Sequence, residues 1–366
     1  MSTKTKTLRW IGLTAAAVVL LIGVLAIGMG PSLLDGRLPG LRKDMAVDET
    51  MRTQLIDNVV EHVERHYIFP DQARAAIAAL RERQRAGDFG RIDSAIELTD
   101  ALTAVLREVT GDRHLSVDFS EQPIPMPSQT SEAVSSETRF VERRQLNFGF
   151  AAVQRLEFNI GYLDLRMFAA PEWGEQRLAA AMTLLADTDA MIIDLRHNYG
   201  GDPKTVALLA SYFFDERTRL NDIYYRSDDR TEQMWTHETV VGPRYGSQRK
   251  LYLLTSNDTF SAAEDFAYAL KNLQRATIVG ASTGGGAHPA EAFRLGDHFG
   301  MIVPVARSIS PVTGTDWEGV GVLPDVAVDP DDALARAQQL ALREFLASGA
   351  TEPRAEAMRA RIDALD

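Results

Sequence analysis

The chain contains no cysteine. That excludes a disulfide framework, a thiolate nucleophile and any metal site built on sulfur, and it leaves the redox compartment open. Positive charge is also scarce: 39 Lys and Arg stand against 51 Asp and Glu, a formal net charge of -12, with no basic stripe. Phosphate binding needs concentrated Lys and Arg, so a nucleic-acid partner is excluded. The Gly-rich run at 282–289, STGGGAHP, carries no lysine and no GxxxxGK[ST] pattern, so nucleotide binding is set aside as well. No metal and no organic cofactor is expected. What remains, 45% hydrophobic and 25% charged residues over 366 positions, is the composition of a globular protein with a sizeable core, in one large domain or two.

The N-terminus gives the compartment. Residues 1–9 carry Lys4, Lys6 and Arg9 without an acid, and residues 10–30 carry no charge at all, which is long enough to span a bilayer as a helix. A cleaved signal peptide shares the basic start but has a shorter apolar region and an Ala-x-Ala-like site, which is not evident here. Residues 1–30 are therefore expected to be a signal anchor in preference to a signal peptide. Either way the main domain lies outside the cytoplasm, periplasmic or extracellular. Residues 31–48, with Pro31, Gly36, Pro39 and Gly40, form a tether.

Residues 49–117 carry helical periodicity, with Leu55, Val59, Val60, Val63 and Tyr67 on one face and a stop at Pro70, then amphipathic helices over 73–85 and 94–109. This helical N-terminal domain ends in GDRHLSV, which places His114 at the mouth of a strand. Residues 118–138 are a Pro- and Ser-rich linker. From 139 to 348 strand and helix alternate, with strands over 159–165, 190–196, 250–254, 276–280 and 299–305, which predicts an α/β domain with a mainly parallel sheet and sites at the carboxyl ends of its strands. Residues 349–366 are expected to form an exposed C-terminal helical tail. The oligomeric state is not legible.

The chain is organised around residues 250–270, a buried strand, a polar turn and a helix opening at Ser261. A serine hydroxyl at a helix N-terminus lies near unpaired N–H groups that can stabilise an oxyanion. Ser261-Ala-Ala-Glu264 is equally a capping box, the pattern repeated at Ser94-Ala-Ile-Glu97, so the tetrapeptide alone leaves nucleophile and cap both open. The loop after residues 190–196 has the same double reading. Gly200 and Gly201 bring backbone N–H groups close to a ligand or simply make a tight turn, with Asp194, Arg196 and Asn198 holding the strand end.

Taken in order, NIGYLDLRMF, AMIIDLRHNYGG, YLLTSNDTFSAAEDFAYALK, TIVGASTGGGAH and WEGVGVLPDVAV resemble the core of the S41 serine peptidases, the group of C-terminal processing proteases, tricorn protease and interphotoreceptor retinoid-binding protein. The helices before them resemble the N-terminal domain of the retinoid-binding-protein-like members. The resemblance implies an α/β fold with a crotonase-like core of ββα units, a superhelix, beside an N-terminal helical cap domain. It assigns Ser261 as nucleophile, and the oxyanion hole to the N–H of Ala262 with that of Gly200 or Gly201. The lysine of the processing proteases falls on Gly286, so a Ser-Lys dyad is excluded. Lys271 is no substitute, standing about 15 Å along the helix from Ser261 at roughly 1.5 Å per residue. As in tricorn-like members, His114 then acts as base and Glu318 orients it, with His288 a second candidate base; Arg113 stands where tricorn has a serine. Too few residues separate cap and core for the PDZ domain of the processing proteases, so core cleft and cap must capture the substrate. The implied activity is a serine endopeptidase-type hydrolase acting on peptide or protein substrates. The alternative is a non-catalytic binder of lipid or another apolar ligand on the same fold.

Overall fold

The computed structural model describes residues 43–126 and 140–365. The expected anchor, residues 31–42 of the tether and most of the 118–138 linker lie outside the described residues. Among the described residues, no helix is long and apolar enough to cross a membrane.

Helix α1 (Glu49–His66) starts on Asp48, whose carboxylate accepts the Met51 N–H, and buries Leu55, Ile56, Val59 and Val63. Pro70 opens the next helix instead of closing this one. The chain turns extended at Tyr67, and Pro70 is the first residue of α2 (Pro70–Ala86), where a missing N–H costs nothing. Ser94 accepts from the Glu97 N–H to cap α3 (Ala95–Thr110), which ends on Gly111 at a φ of 69°. The segment 111–115 then leads into β1 (Ser116–Phe119).

The core holds β2 (Phe150–Leu156), β3 (Ile160–Leu165), α4 (Pro171–Leu185), β4 (Ala190–Asp194), α5 (Pro203–Ala210), β5 (Arg219–Tyr225), β6 (Arg230–Trp235), β7 (Lys250–Thr255), α6 (Ala262–Asn272), β8 (Thr277–Gly280), β9 (Ala290–Arg294), β10 (Phe299–Pro304), β11 (Ala306–Ile309) and β12 (Val326–Ala327). Two helices, α7 (Ala333–Ala347) and α8 (Arg354–Ala364), close the chain. The main sheet has the order β12-β8-β7-β4-β3-β2, parallel throughout except for β2 at one edge. Every residue of β3 and of β4 is buried, as expected of strands covered on both faces. Leu163, Ile193 and Leu253 face α4, α5 and α6, whereas Tyr162, Ile192 and Tyr252 face α7 and α8. The expected architecture is thus observed: an α/β core with an N-terminal helical cap.

The strand expected near 299–305 lies outside the parallel sheet, antiparallel between β1 and β9, and two further features depart from expectation. The C-terminal helix is not an exposed tail, because Ala355, Met358 and Ile362 recur at helical spacing and are buried against the α7 side of the core. The β5–β6 hairpin went unforeseen because β6, RTEQMW, is mostly exposed and polar and carries no alternation.

The cap and core share side chains. Strand β1 pairs antiparallel with β10, which pairs with β9, and Leu295, Phe299, Met301 and Val303 enter the same apolar cluster as Leu55, Val59 and Leu102. Residue 114 is therefore fixed to the core by the strand that follows it. At the carboxyl ends of the parallel strands, three loops are bonded together. Phe260 N–H donates to the Asn198 carbonyl and Gly284 N–H to the Thr259 carbonyl, both at 2.9 Å, while the Thr259 hydroxyl donates to the Leu195 carbonyl at 2.8 Å.

Candidate active site

Ser261 sits where the polar turn after β7 meets α6, with φ 56° and ψ -120°, a conformation that a non-glycine residue holds only under constraint. The constraint is Glu264, one turn into α6 and fully buried. Its Oε2 accepts the Ser261 N–H and the Gly286 N–H, each at 2.8 Å; its Oε1 accepts the Thr283 hydroxyl at 2.5 Å and the Gly285 N–H at 2.6 Å. Burial pushes the Glu264 carboxyl up, while these four donors oppose the shift and favour the carboxylate. The capping-box reading was therefore half the story: Glu264 also ties the serine backbone to the loop after β8.

The loop after β4 brings Gly200 and Gly201 to the serine. A Cβ on Gly200 would stand 2.8 Å from Ser261 Cβ and 3.0 Å from Ala262 N, so only glycine fits there. Asn198, completely buried, holds this loop, donating from Nδ2 to the Leu165 carbonyl and accepting the Gly200 N–H on Oδ1 at 2.9 Å. Among the described residues, the N–H groups of Gly201 and Ala262 have no acceptor. Asp194 and Arg196 form a buried ion pair at the strand end, as expected.

His114 comes to the same place from the cap. Its ring lies 4.6 Å from the Phe260 ring, centroid to centroid, beside Gly286. Arg113 bonds to the Gly284 carbonyl and lies over the Phe260 ring at 5.4 Å, clamping cap to loop. Glu318 arrives on the 317–321 segment, anchored by the Trp317 indole N–H to the Gly286 carbonyl at 2.9 Å and by the Ala287 N–H to Glu318 Oε2 at 2.5 Å. Among the described residues, His114 Nδ1 and Glu318 Oε1 are both buried without a hydrogen-bond partner. One donor atom each of Asp112, His114 and Glu318 falls within 4.8 Å of the others. That spacing could admit a cation, but the N–H donors already facing both carboxylates fit an array of paired hydrogen bonds.

Electrostatics divide the roles. Burial, the largest influence, holds His114 far below an ordinary histidine, at about 4, so its ring is neutral at physiological pH. Burial, then the Asp112 charge, pushes Glu318 up to about 7. The Nδ1 of His288, the other candidate base, lies 2.7 Å from Asp112 Oδ2 and 3.4 Å from Glu318 Oε2. Lys271 is engaged by the Leu323 carbonyl and Asp325, away from the serine. Asp112 had no assigned role in the sequence; its only signal there was its place two residues before His114. A cleft of about 310 Å³ is lined by Arg196, His197, Ser256, Asn257, Asp258, Pro330 and Asp331, but not by Ser261 or His114.

The family model described as Peptidase family S41 matches residues 159–328, and that of the N-terminal domain of Peptidase_S41 in eukaryotic IRBP matches residues 46–145. The chain belongs to peptidase family S41. This S41 chain is 30% identical over 171 residues to the carboxyl-terminal-processing protease of Synechocystis sp., covering 47% of this chain and 38% of that protein. With carboxyl-terminal-processing peptidase 2, chloroplastic, of Arabidopsis thaliana the identity is 31% over 166 residues, covering 45% and 31%. The chain thus spans less than half the length of these curated relatives. Among solved structures, a lipoprotein from Streptococcus agalactiae shares the fold at a TM-score of 0.54 and 15% identity, covering 84% of this chain and 99% of that one.

Proposed function

We propose that this S41 chain is a serine endopeptidase acting on peptides or proteins outside the cytoplasm, held at the membrane by residues 10–30. The observation that carries the reading is the strained backbone of Ser261, kept at φ 56° by Glu264 at the head of α6, next in sequence to Phe260, whose ring packs on the neutral ring of His114. Strain of this kind persists only where the surroundings enforce it, and it aims a side chain out of a turn.

In this reading the Ser261 hydroxyl attacks the scissile carbonyl and His114 takes its proton. The imidazolium so formed carries a proton on Nδ1, which like Glu318 Oε1 is buried and unpaired among the described residues, so in this reading Glu318 Oε1 is the acceptor that orients and stabilises it. The Ala262 and Gly201 N–H groups receive the oxyanion; Gly200, whose own N–H is engaged by Asn198, supplies the room. His114 then protonates the leaving amine, and water repeats the cycle on the acyl-enzyme. Anchoring and compartment rest on the sequence of residues 1–30 alone. The relatives' processing of carboxyl termini belongs to them; an endopeptidase acting within exposed segments is the reading advanced here.

The test is labelling of the full chain in detergent by a fluorophosphonate, with Ser261→Ala and His114→Ala beside the parent, followed by mass spectrometry of a peptide library. Labelling confined to Ser261 and lost in both variants, with internal cleavage of peptides, is the expected result. A folded parent that neither labels nor cleaves would overturn the reading.

A further inference from the structure

Deepening that reading and resting on it, we propose that His288 and Asp112 form a second histidine–carboxylate pair that positions Glu318 and keeps it ionised, so that Glu318 can accept from the His114 imidazolium. His288 is a positioning residue, not the base.

The geometry is a closed array around Asp112. Its Oδ1 accepts the His114 main-chain N–H at 3.0 Å; its Oδ2 faces His288 Nδ1 at 2.7 Å and accepts the Tyr67 hydroxyl at 3.2 Å. One carboxylate therefore fixes the backbone of one histidine and the ring of the other. Asp112 and His288 side chains are 1% and 4% exposed, so the pair is shielded from solvent. Because His288 Nδ1 lies between two carboxylates, the proton belongs on that nitrogen and the ring titrates at Nε2.

A buried Asp112 and Glu318 repel one another, and that repulsion, after burial itself, opposes ionisation of Glu318. A protonated His288 ring, 3.4 Å from Glu318 Oε2, is the opposite charge that offsets it. The other charged or titratable groups facing this array are Asp316 from the 317–321 side, His114 itself, Tyr67 at the end of α1, and Arg107 and Arg113 toward His114. Burial, the largest single influence on His288, works against its protonation, but the bond and charge of Asp112, with Glu318 and Asp316, outweigh it and raise the ring. When His114 accepts the serine proton, the array then holds two imidazolium rings between two carboxylates. Without His288, Glu318 stays protonated to higher pH and turns a donor toward Nδ1, the wrong polarity for an imidazolium.

The test separates bond from charge. In His288→Asn the side-chain amide can replace the Nδ1 donor to Asp112 but carries no charge. The rate of fluorophosphonate labelling of Ser261 against pH is expected to keep its high-pH plateau within a fewfold, while its inflection moves alkaline by about one pH unit, the scale of a single nearby charge. An unchanged profile would overturn the proposal, as would loss of labelling at every pH in a folded variant, which would make His288 the base. A second measurement does not depend on activity. Charge coupling is reciprocal, so in the folded Glu318→Gln variant the NMR titration midpoint of His288 must fall relative to the parent. No change there overturns the proposal even if the parent does not label, whereas failure to label alone refutes only the serine-peptidase reading.

Discussion

A Cβ placed on Gly286 would stand 2.7 Å from Cε1 of His114 and 2.3 Å from Cζ of Phe260. The position on which the resemblance to the processing proteases places a lysine is therefore crowded by the ring of the proposed histidine base and by the residue that precedes the serine. A side chain at position 286 and the rings of His114 and Phe260 do not fit together in the present arrangement. Gly286→Ala is expected to displace Phe260 or His114, at a cost of about 1–3 kcal/mol for overpacking, and to slow labelling of Ser261 by about tenfold or more through misplacement. Thermal melting and labelling rates on the same preparation check it; an undisturbed variant would mean the ring has room to move.

The strain at Ser261 makes its own prediction. Glycine tolerates φ 56° and ψ -120°, whereas alanine does not. Both substitutions remove the hydroxyl, so Ser261→Gly should be more stable than Ser261→Ala by about 1 kcal/mol. Chemical denaturation of the two variants side by side measures the difference; equal stabilities would show that the turn stores no strain.

Glu264→Gln turns one of the two acceptor oxygens into a donor, although all four of its partners are donors. At least one buried donor is left unpaired, a loss of about 1–3 kcal/mol. Because the freed groups include either the Ser261 and Gly286 N–H groups or those of the loop opposite, the labelling rate should fall by about 10- to 100-fold. Melting curves and labelling kinetics test both effects. A variant that loses stability but labels at the parent rate would restrict Glu264 to the role of a cap.

The pH dependence follows from opposite shifts. His114 is lowered from 6.5 to about 4, so its contribution to stability is present above 6.5 and is lost as pH falls through about 4. Glu318 is raised from 4.5 to about 7, so its contribution is present below 4.5 and is lost as pH rises through about 7. The stability of Glu318→Gln relative to the parent should therefore grow from pH 4.5 to about pH 7 and level off above it. Since His114 is already neutral throughout that range, the acid limb of labelling should report Glu318 near 7 and vanish in Glu318→Gln. Denaturation and labelling series across this range check both statements.

Local order was legible in the sequence because short-range chemistry determines it. Ser94 caps a helix, the fully buried β4 lies inside a parallel sheet, and Ser261 opens α6 after a polar turn, all from neighbours a few positions apart. The order of five motifs was enough for the family and for bringing Ser261, His114 and Glu318 under suspicion together. What the residues could not announce were pairings across long separations: His288 with Asp112, 176 positions apart, and Glu264 with Gly286, 22 apart. A buried carboxylate looks the same in a sequence whether its donors lie in its own helix or in a distant loop. The burial of α8 and the contact of His288 with Asp112 were likewise decided only when the chain closed on itself, because desolvation and hydrogen bonding depend on which groups finally face one another.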